Sequence, residues 1–441
     1  MKRLLSLLLC AVLALFCATT AQAAGVSITL TASEYALHYA FDTGAQDPFV
    51  ILEYATPAEK GWMMLYSADG HFEGDVSLAY SGAGGKTSVA LTSARTTGSI
   101  GKASTTLPKA ADYQKPTGKS NAKVTDFVLT ETPKGFHYAF NAAGTDYMLL
   151  YWRSKEQTVT QPVYPDENGH YEDDIISELT FARTQFTVQV KSGSGSMKKE
   201  ATVRKGYQAP EAPQRQEGRL SGVTVCIDAG HQENGRFVNE PIGPGLSGST
   251  SGKGGMAQGT KTNRRESIVC LEIGMLLRDE LLRQGANVVM TREDQTTFHT
   301  NIERCEIAEA GGAQIMLRLH CNNSSNRSKR GIQVYGPLNS DYAKAVADAD
   351  TYREMGQKLL DAMKTRVGMT LANSTGMVRL NDNYVGNNWA KMMCFLVEMG
   401  YLSNPAEEYL LVTPVYQQWL AEGMADGVYE IAVARGWVQA Q

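Results

Sequence analysis

The sequence has no cysteine pair at C-x-x-C spacing, no strong charge of either sign and, beyond its first residues, no apolar run long enough to cross a bilayer. Each absence removes a class of protein. Lysine and arginine (42) nearly balance aspartate and glutamate (46), leaving a net charge of −4, so no field draws the chain to nucleic acid or an anionic membrane. A spanning helix needs roughly 20 apolar residues, and no later segment supplies them. Without C-x-x-C pairs a cysteine-type zinc site is not expected. Of seven cysteines, Cys10 and Cys17 lie in the first segment; Cys226, Cys270, Cys305, Cys321 and Cys394 form an odd set, mostly inside apolar runs. They read as small buried thiols, not a disulfide framework.

What is present begins with a leader. Lys2 and Arg3 precede an apolar run over residues 4–17, and Ala21-Gln22-Ala23 supplies a small-x-small cleavage pattern. Residues 1–23 are therefore expected to be a signal peptide. Phe16 before Cys17 argues against lipidation, so the expectation is a secreted protein with no membrane attachment after cleavage.

The first half contains an internal repeat. LHYAFDTGAQDPFVIL, residues 37–52, aligns with FHYAFNAAGTDYMLLY, residues 136–151, at an offset of 99; DGHFEGD from Asp69 and NGHYEDD from Asn168 keep that offset. Short alternating runs rich in Val, Thr, Tyr and Phe, broken by Asp-Gly or Asn-Gly pairs, predict hairpins. Two all-β, immunoglobulin-like sandwich modules follow, over residues 24–113 and 121–207. His71 and His170 occupy equivalent turns, and with no second ligand evident beside either, no metal role is assigned to them. Neither repeat has a recognisable sugar-binding motif.

Residues 208–219, opening QAPEAPQRQEG, read as a linker. From residue 220 to 437, apolar runs (VTVCIDAG, ANVVMTR, AQIMLRLH, GIQVYG, MMCFLVEMG) alternate with helical stretches, predicting an α/β domain whose mostly parallel sheet is flanked by helices. Three of these runs end at His231, His320 and Glu398, and ligands bind at the carboxyl edge of such sheets. Cys270, Ile273, Leu277 and Leu281 form a helical apolar stripe, and Glu266, one turn earlier, shares its inward face. Singly, each residue has a plain reading. Glu266 is three residues after Asn263 and could be a capping-box partner; the histidines could be polar strand ends; Glu398 could be a solvated loop charge. Four such accidents at one sheet edge are a poor account of the pattern.

CIDAGHQ, the glutamate opening RRESIVCLEIGMLLRDELLRQGANVVMTR, NIERCEIAEAGGAQIMLRLHCNN and VEMGYLSNPAEEYLL occur in that order. Together they resemble the motifs of the zinc-dependent N-acetylmuramoyl-L-alanine amidases of the type 3 family, over about half the chain. The resemblance implies one zinc ion held by His231, Glu266 and His320, with Glu398 catalytic. It implies peptidoglycan as substrate, an extracellular or wall-associated location, and β modules that target the enzyme to the wall or a partner, or merely present it. Cys270 stands where the family usually has asparagine and Cys321 where a small residue is common. The Gly/Ser-rich loop within residues 232–265 is longer than in many relatives and is expected to rim the groove; residues 379–389 lie where relatives meet substrate.

Independently of the family, two imidazoles and one carboxylate are a known catalytic zinc set with a position open for water, and a further glutamate is suited to proton transfer. Rival readings are a carboxypeptidase acting on the stem peptide, a decayed amidase that only binds, and a non-catalytic adhesin built on the β repeats.

Overall fold

The computed structural model describes residues 19–22 and 26–440, apart from 35, 46, 58–59, 79–80, 96–97, 112–122, 133–134, 144–147, 154–157, 164, 177–183, 193–195, 206–210, 233–237, 251–255, 263 and 368–377. The chain divides into two compact units, residues 1–116 and 117–441. Most of the predicted leader lies outside the described residues. Its end does not: Thr19–Gln22 forms β1, antiparallel to β2 (Ser27–Ala32).

In the first unit β1, β2, β3 (Ala36–Asp42) and β6 (His71–Ser77) make one sheet. The other runs β5 (Lys60–Tyr66), β4 (Phe49–Ala55), β7 (Gly85–Ser93), β8 (Ser99–Leu107). All pairings are antiparallel. Alternation along β3 buries Leu37, Tyr39 and Phe41, which meet Val50, Leu52, Val89 and Leu91 from the second sheet in one core. The second copy repeats this. β9 (Val124–Thr132), β10 (Gly135–Ala142) and β13 (His170–Ile176) form one sheet, and β12 (Thr158–Val163), β11 (Met148–Arg153), β14 (Thr184–Ser192) and β15 (Met197–Lys205) the other. β6 and β13, like β7 and β14, keep the 99-residue offset at both ends. Phe136, Phe140, Leu150, Trp152 and Phe186 fill the second core.

His71 and His170 are not isolated turn residues. Each opens a strand two residues before a glutamate, Glu73 or Glu172, and antiparallel pairing brings a histidine of the neighbouring strand, His38 or His137, to that same glutamate. A histidine 33 residues away in sequence becomes a neighbour through strand pairing alone.

In the remaining part a six-stranded sheet runs β17 (Asn287–Met290), β16 (Thr224–Ala229), β18 (Ile315–Asn322), β21 (Met393–Tyr401), β19 (Gln333–Gly336), β20 (Val378–Leu380). All neighbours are parallel except β19 and β21. Its helices are α1 (Glu266–Arg283), α2 (Asn301–Ala310), α3 (Asp341–Val346), α4 (Ala349–Val367), α5 (Val385–Trp389), α6 (Glu407–Leu411) and α7 (Pro414–Ala434). Strand alternation sends Cys226, Met316 and Cys394 against Cys305 and Ala308 of α2, while Ile227 and Leu319 reach Gly274 of α1 from the opposite face. Both faces are thus covered, which is why the strands read as continuous apolar runs. α7 packs closely on α4 because a Cβ on Gly423 or Gly427 would approach Met363 or Leu359 backbone within 2.8 Å. All five described cysteines are buried and free. Among the described residues no helix is long and apolar enough to cross a membrane.

Candidate metal centre and carboxylate

The centre begins with strand ends. β16 delivers Asp228 and Ala229, then Gly230 and His231 turn out of the sheet. His231 has φ +57°, a left-handed conformation uncommon for a residue with a Cβ. Gly230 makes the turn fit: a Cβ there would lie 2.5 Å from the Leu319 carbonyl oxygen and 2.6 Å from the His320 ring. His320 and Glu398 do not lie beyond their strands, as the sequence suggests, but within them. β18 continues through a register irregularity to Asn322, β21 continues to Tyr401, and His320 stands directly opposite Glu398.

Glu266 opens α1, whose N-cap is Arg265 with no side-chain cap; Asn263, the predicted capping partner, lies outside the described residues. The carboxylate serves the site instead. Its Oε1 is 3.0 Å from His231 Nε2 and 3.0 Å from His320 Nδ1, and accepts the Cys321 N–H at 3.0 Å. Its Oε2 accepts the Ala257 N–H at 2.7 Å. Donor atoms of His231, Glu266 and His320 all lie within 4.8 Å of one another, and the two rings stand 4.8 Å apart at 79°. Burial acts to raise the Glu266 pKa, but hydrogen bonds from both histidines outweigh it and keep the group ionised. Burial lowers the pKa of His320 and favours the neutral ring. An ionised carboxylate and neutral imidazoles are the forms that ligate metals, so the donor set fits a divalent ion of the zinc class.

Glu398 differs from Glu266 in lacking partners. Its Oε2 is sealed from solvent with no hydrogen bond, and burial, with the Glu266 charge nearby, pushes its pKa up to about 8. A carboxyl group that exchanges its proton near neutral pH, beside a possible metal position, is suited to general base and acid work.

Residues the motifs did not single out hold the turn in place. Asp228, fully buried, binds the guanidinium of Arg304, Arg318 Nε at 2.9 Å and Thr291 Oγ1 at 2.7 Å. After the cost of burial, the charges of Arg304 and Arg318 hold its pKa well below the usual carboxylate range. Arg304 also donates to the carbonyls of Ala229 (2.9 Å) and His231 (3.2 Å). Arg292 donates to those of Ala229 (2.7 Å), Gly230 (2.8 Å) and Ser267 (2.7 Å). Carbonyls around the left-handed turn are therefore tied to two buried arginines. The charged Arg318 inside the apolar run IMLRLH is the sequence signal that could have found the network.

The long loop is stitched to its surroundings where it is described. Glu240 accepts from Asn301 Nδ2 (2.7 Å) and the Ile302 N–H (2.8 Å) at the start of α2, and Glu408 from Thr260 Oγ1 (3.1 Å) and the Lys261 N–H (2.9 Å). Burial raises the pKa of the Cys270 and Cys321 thiols, and the Glu266 charge acts in the same direction on both. Tyr384, in the loop predicted to meet substrate, packs its ring 5.1 Å from Tyr335.

Comparison with known proteins agrees with the motifs. The profile described as N-acetylmuramoyl-L-alanine amidase matches residues 225–430, just under half of the chain, and that segment reads as such an amidase domain. The germination-specific N-acetylmuramoyl-L-alanine amidase of Bacillus subtilis is 26% identical over 231 residues, 49% of this chain and 83% of that protein. A probable cell wall amidase of Staphylococcus aureus is 27% identical over 218 residues, and the match spans 48% of this chain but only 60% of that protein. The crystal structure of an N-acetylmuramoyl-L-alanine amidase from Clostridium difficile 630 aligns with 48% of this chain and 96% of its own, at 23% identity and a TM-score of 0.38.

Proposed function

We propose that this protein is an exported peptidoglycan hydrolase that cuts the amide joining the lactyl group of N-acetylmuramic acid to L-alanine. The observation that carries the reading is the convergence of His231, Glu266 and His320 beside the unpartnered carboxyl oxygen of Glu398. His231, Glu266 and His320 hold one zinc ion, which when bound polarises the amide carbonyl and lowers the pKa of water to about 7. Ala257 and Cys321 N–H groups orient the Glu266 carboxylate, a role that outer partners of metal ligands commonly have. Glu398 takes a proton from the attacking water and returns it to the departing amine of L-alanine, work typically worth about 10²- to 10⁴-fold in rate.

Residues 1–23 act as the signal peptide, supported by the basic, apolar and small-x-small order of the leader, and the enzyme works outside the cell or on its wall. The modules at 24–113 and 121–207 are immunoglobulin-like sandwiches, joined by the 208–219 linker to a catalytic domain over 220–437, and they target the enzyme to the wall or to a partner. Digestion of purified peptidoglycan, with and without chelator, tests the reading. New L-alanine amino termini should appear only in the metal-loaded reaction. Release of stem-peptide C-terminal residues with intact lactyl amides would instead identify a carboxypeptidase.

A further inference from the structure

Four of the seven histidines in the chain lie in the β modules, in two equivalent rows. In the first copy β3 and β6 pair His38 with Asp75, Ala40 with Glu73 and Asp42 with His71. In the second, β10 and β13 pair His137 with Asp174, Ala139 with Glu172 and Asn141 with His170. Only one of these positions differs in polar type, Asp42 against Asn141.

The ring nitrogens face two ways. Each Nδ1 points outward to a side-chain oxygen: His38 to Asp75 at 3.1 Å, His71 to Asp42 at 2.7 Å, His137 to Asp174 at 3.0 Å and His170 to Asn141 at 2.8 Å. Those oxygens only accept, so Nδ1 donates in each case, and a metal ion at Nε2 takes the place of that nitrogen's proton. Both Nε2 atoms of a row converge on one glutamate, each against a different oxygen. The separations are 3.4 and 3.6 Å at Glu73 and 3.2 and 3.6 Å at Glu172. Two imidazole nitrogens therefore flank one carboxylate, and a cation that replaces their protons meets three donors of metal-ligating type. Histidine that ligates a metal through one nitrogen commonly donates from the other to a carboxylate or carbonyl oxygen, the pattern found four times here.

Stability does not account for the repetition. These side chains are 29–75% exposed, and exposed ion pairs contribute little to folding. We infer that each β module binds one divalent transition-metal ion through its two Nε2 atoms and the intervening glutamate: His38, His71 and Glu73 in the first, His137, His170 and Glu172 in the second. Imidazole with carboxylate suits zinc, nickel or copper. Among the described residues only His231, Glu266 and His320 already bring three donors within 4.8 Å. The module sites must close by side-chain rotation of the histidines as well as of Glu73 and Glu172, and they bind more weakly than the amidase centre.

Equilibrium dialysis of the full chain against micromolar zinc at neutral pH, with metal counted by mass spectrometry, tests this. Three ions per chain are expected. His38→Gln with His71→Gln should remove one ion, His137→Gln with His170→Gln a second, and His231→Ala the third. Glu73→Gln with Glu172→Gln, which leaves the rings intact, should remove the same two module ions. A count of one in the unaltered chain overturns the inference, as does a count of three in the four-histidine variant. The module ions are counted equally well in His231→Ala, so failure of the amidase reading is distinguishable from failure of this one.

Discussion

Glu266 in the amidase domain and Glu73 in the first β module each sit between two histidines, yet their surroundings differ. The Glu266 side chain is 4% exposed and both its oxygens are held by backbone N–H groups, whereas Glu73 is 58% exposed with ring nitrogens as its close neighbours. Burial fixes the first trio before any ion arrives, so little ordering remains to oppose binding. Solvent leaves the second trio free to rotate, and each side-chain torsion frozen on binding costs affinity. The same residue types thus give a preorganised centre in one region and an adaptable one in the other.

The largest expected effect would erase one side of that contrast. His320→Ala should empty the amidase centre and abolish release of L-alanine amino termini, read by metal analysis and end-group assay. Next, Glu398→Gln should lower the rate by about 10²- to 10⁴-fold while retaining the same metal count; full activity would remove Glu398 from the mechanism.

Asp228→Asn tests whether burial is what preorganises the centre. Breaking a buried pair typically costs about 3–5 kcal/mol, and losing an orienting partner of a metal ligand about 10- to 100-fold in affinity. A fall in Tm and a weaker zinc Kd are both expected. An unchanged Kd would show that the arginine network supports the fold and not the left-handed His231 turn.

Glu398 also predicts a pH signature in metal-free protein. Its folded pKa, about 8, lies above the ordinary carboxylate value, so the folded state binds the extra proton. Its contribution is favourable below the unfolded pKa and is lost as pH rises through about 8. Glu407, buried and pushed up to about 7, acts in the same direction, so the informative quantity is the difference between the unaltered chain and Glu398→Gln. The variant should lose less Tm between pH 5 and 8. The smallest effect is reserved for His38→Gln, which should leave the Tm of the exposed module nearly unchanged.

Much of this was legible in the chain. The 99-residue offset marks two copies of one β module, because hairpin turns and period-two alternation are local properties. The switch to apolar runs separated by helices marks a buried parallel sheet for the same reason. His231, Glu266, His320 and Glu398 were marked by their places near strand ends and on a helix face. The histidine rows of the modules were not, since His38 and His71 become neighbours only when β3 pairs with β6.

By itself, then, the sequence determined the element types and the duplication and marked His231, Glu266, His320 and Glu398 as candidates, all of which follow from periodicity and motif order along the chain. Tertiary structure alone decided that Asp228, Arg292 and Arg304 clamp the turn bearing His231, that Glu398 keeps an unpartnered oxygen, and that two histidines share each module glutamate. Those properties depend on burial and on distances between segments far apart in sequence, and neither quantity exists until the chain has folded.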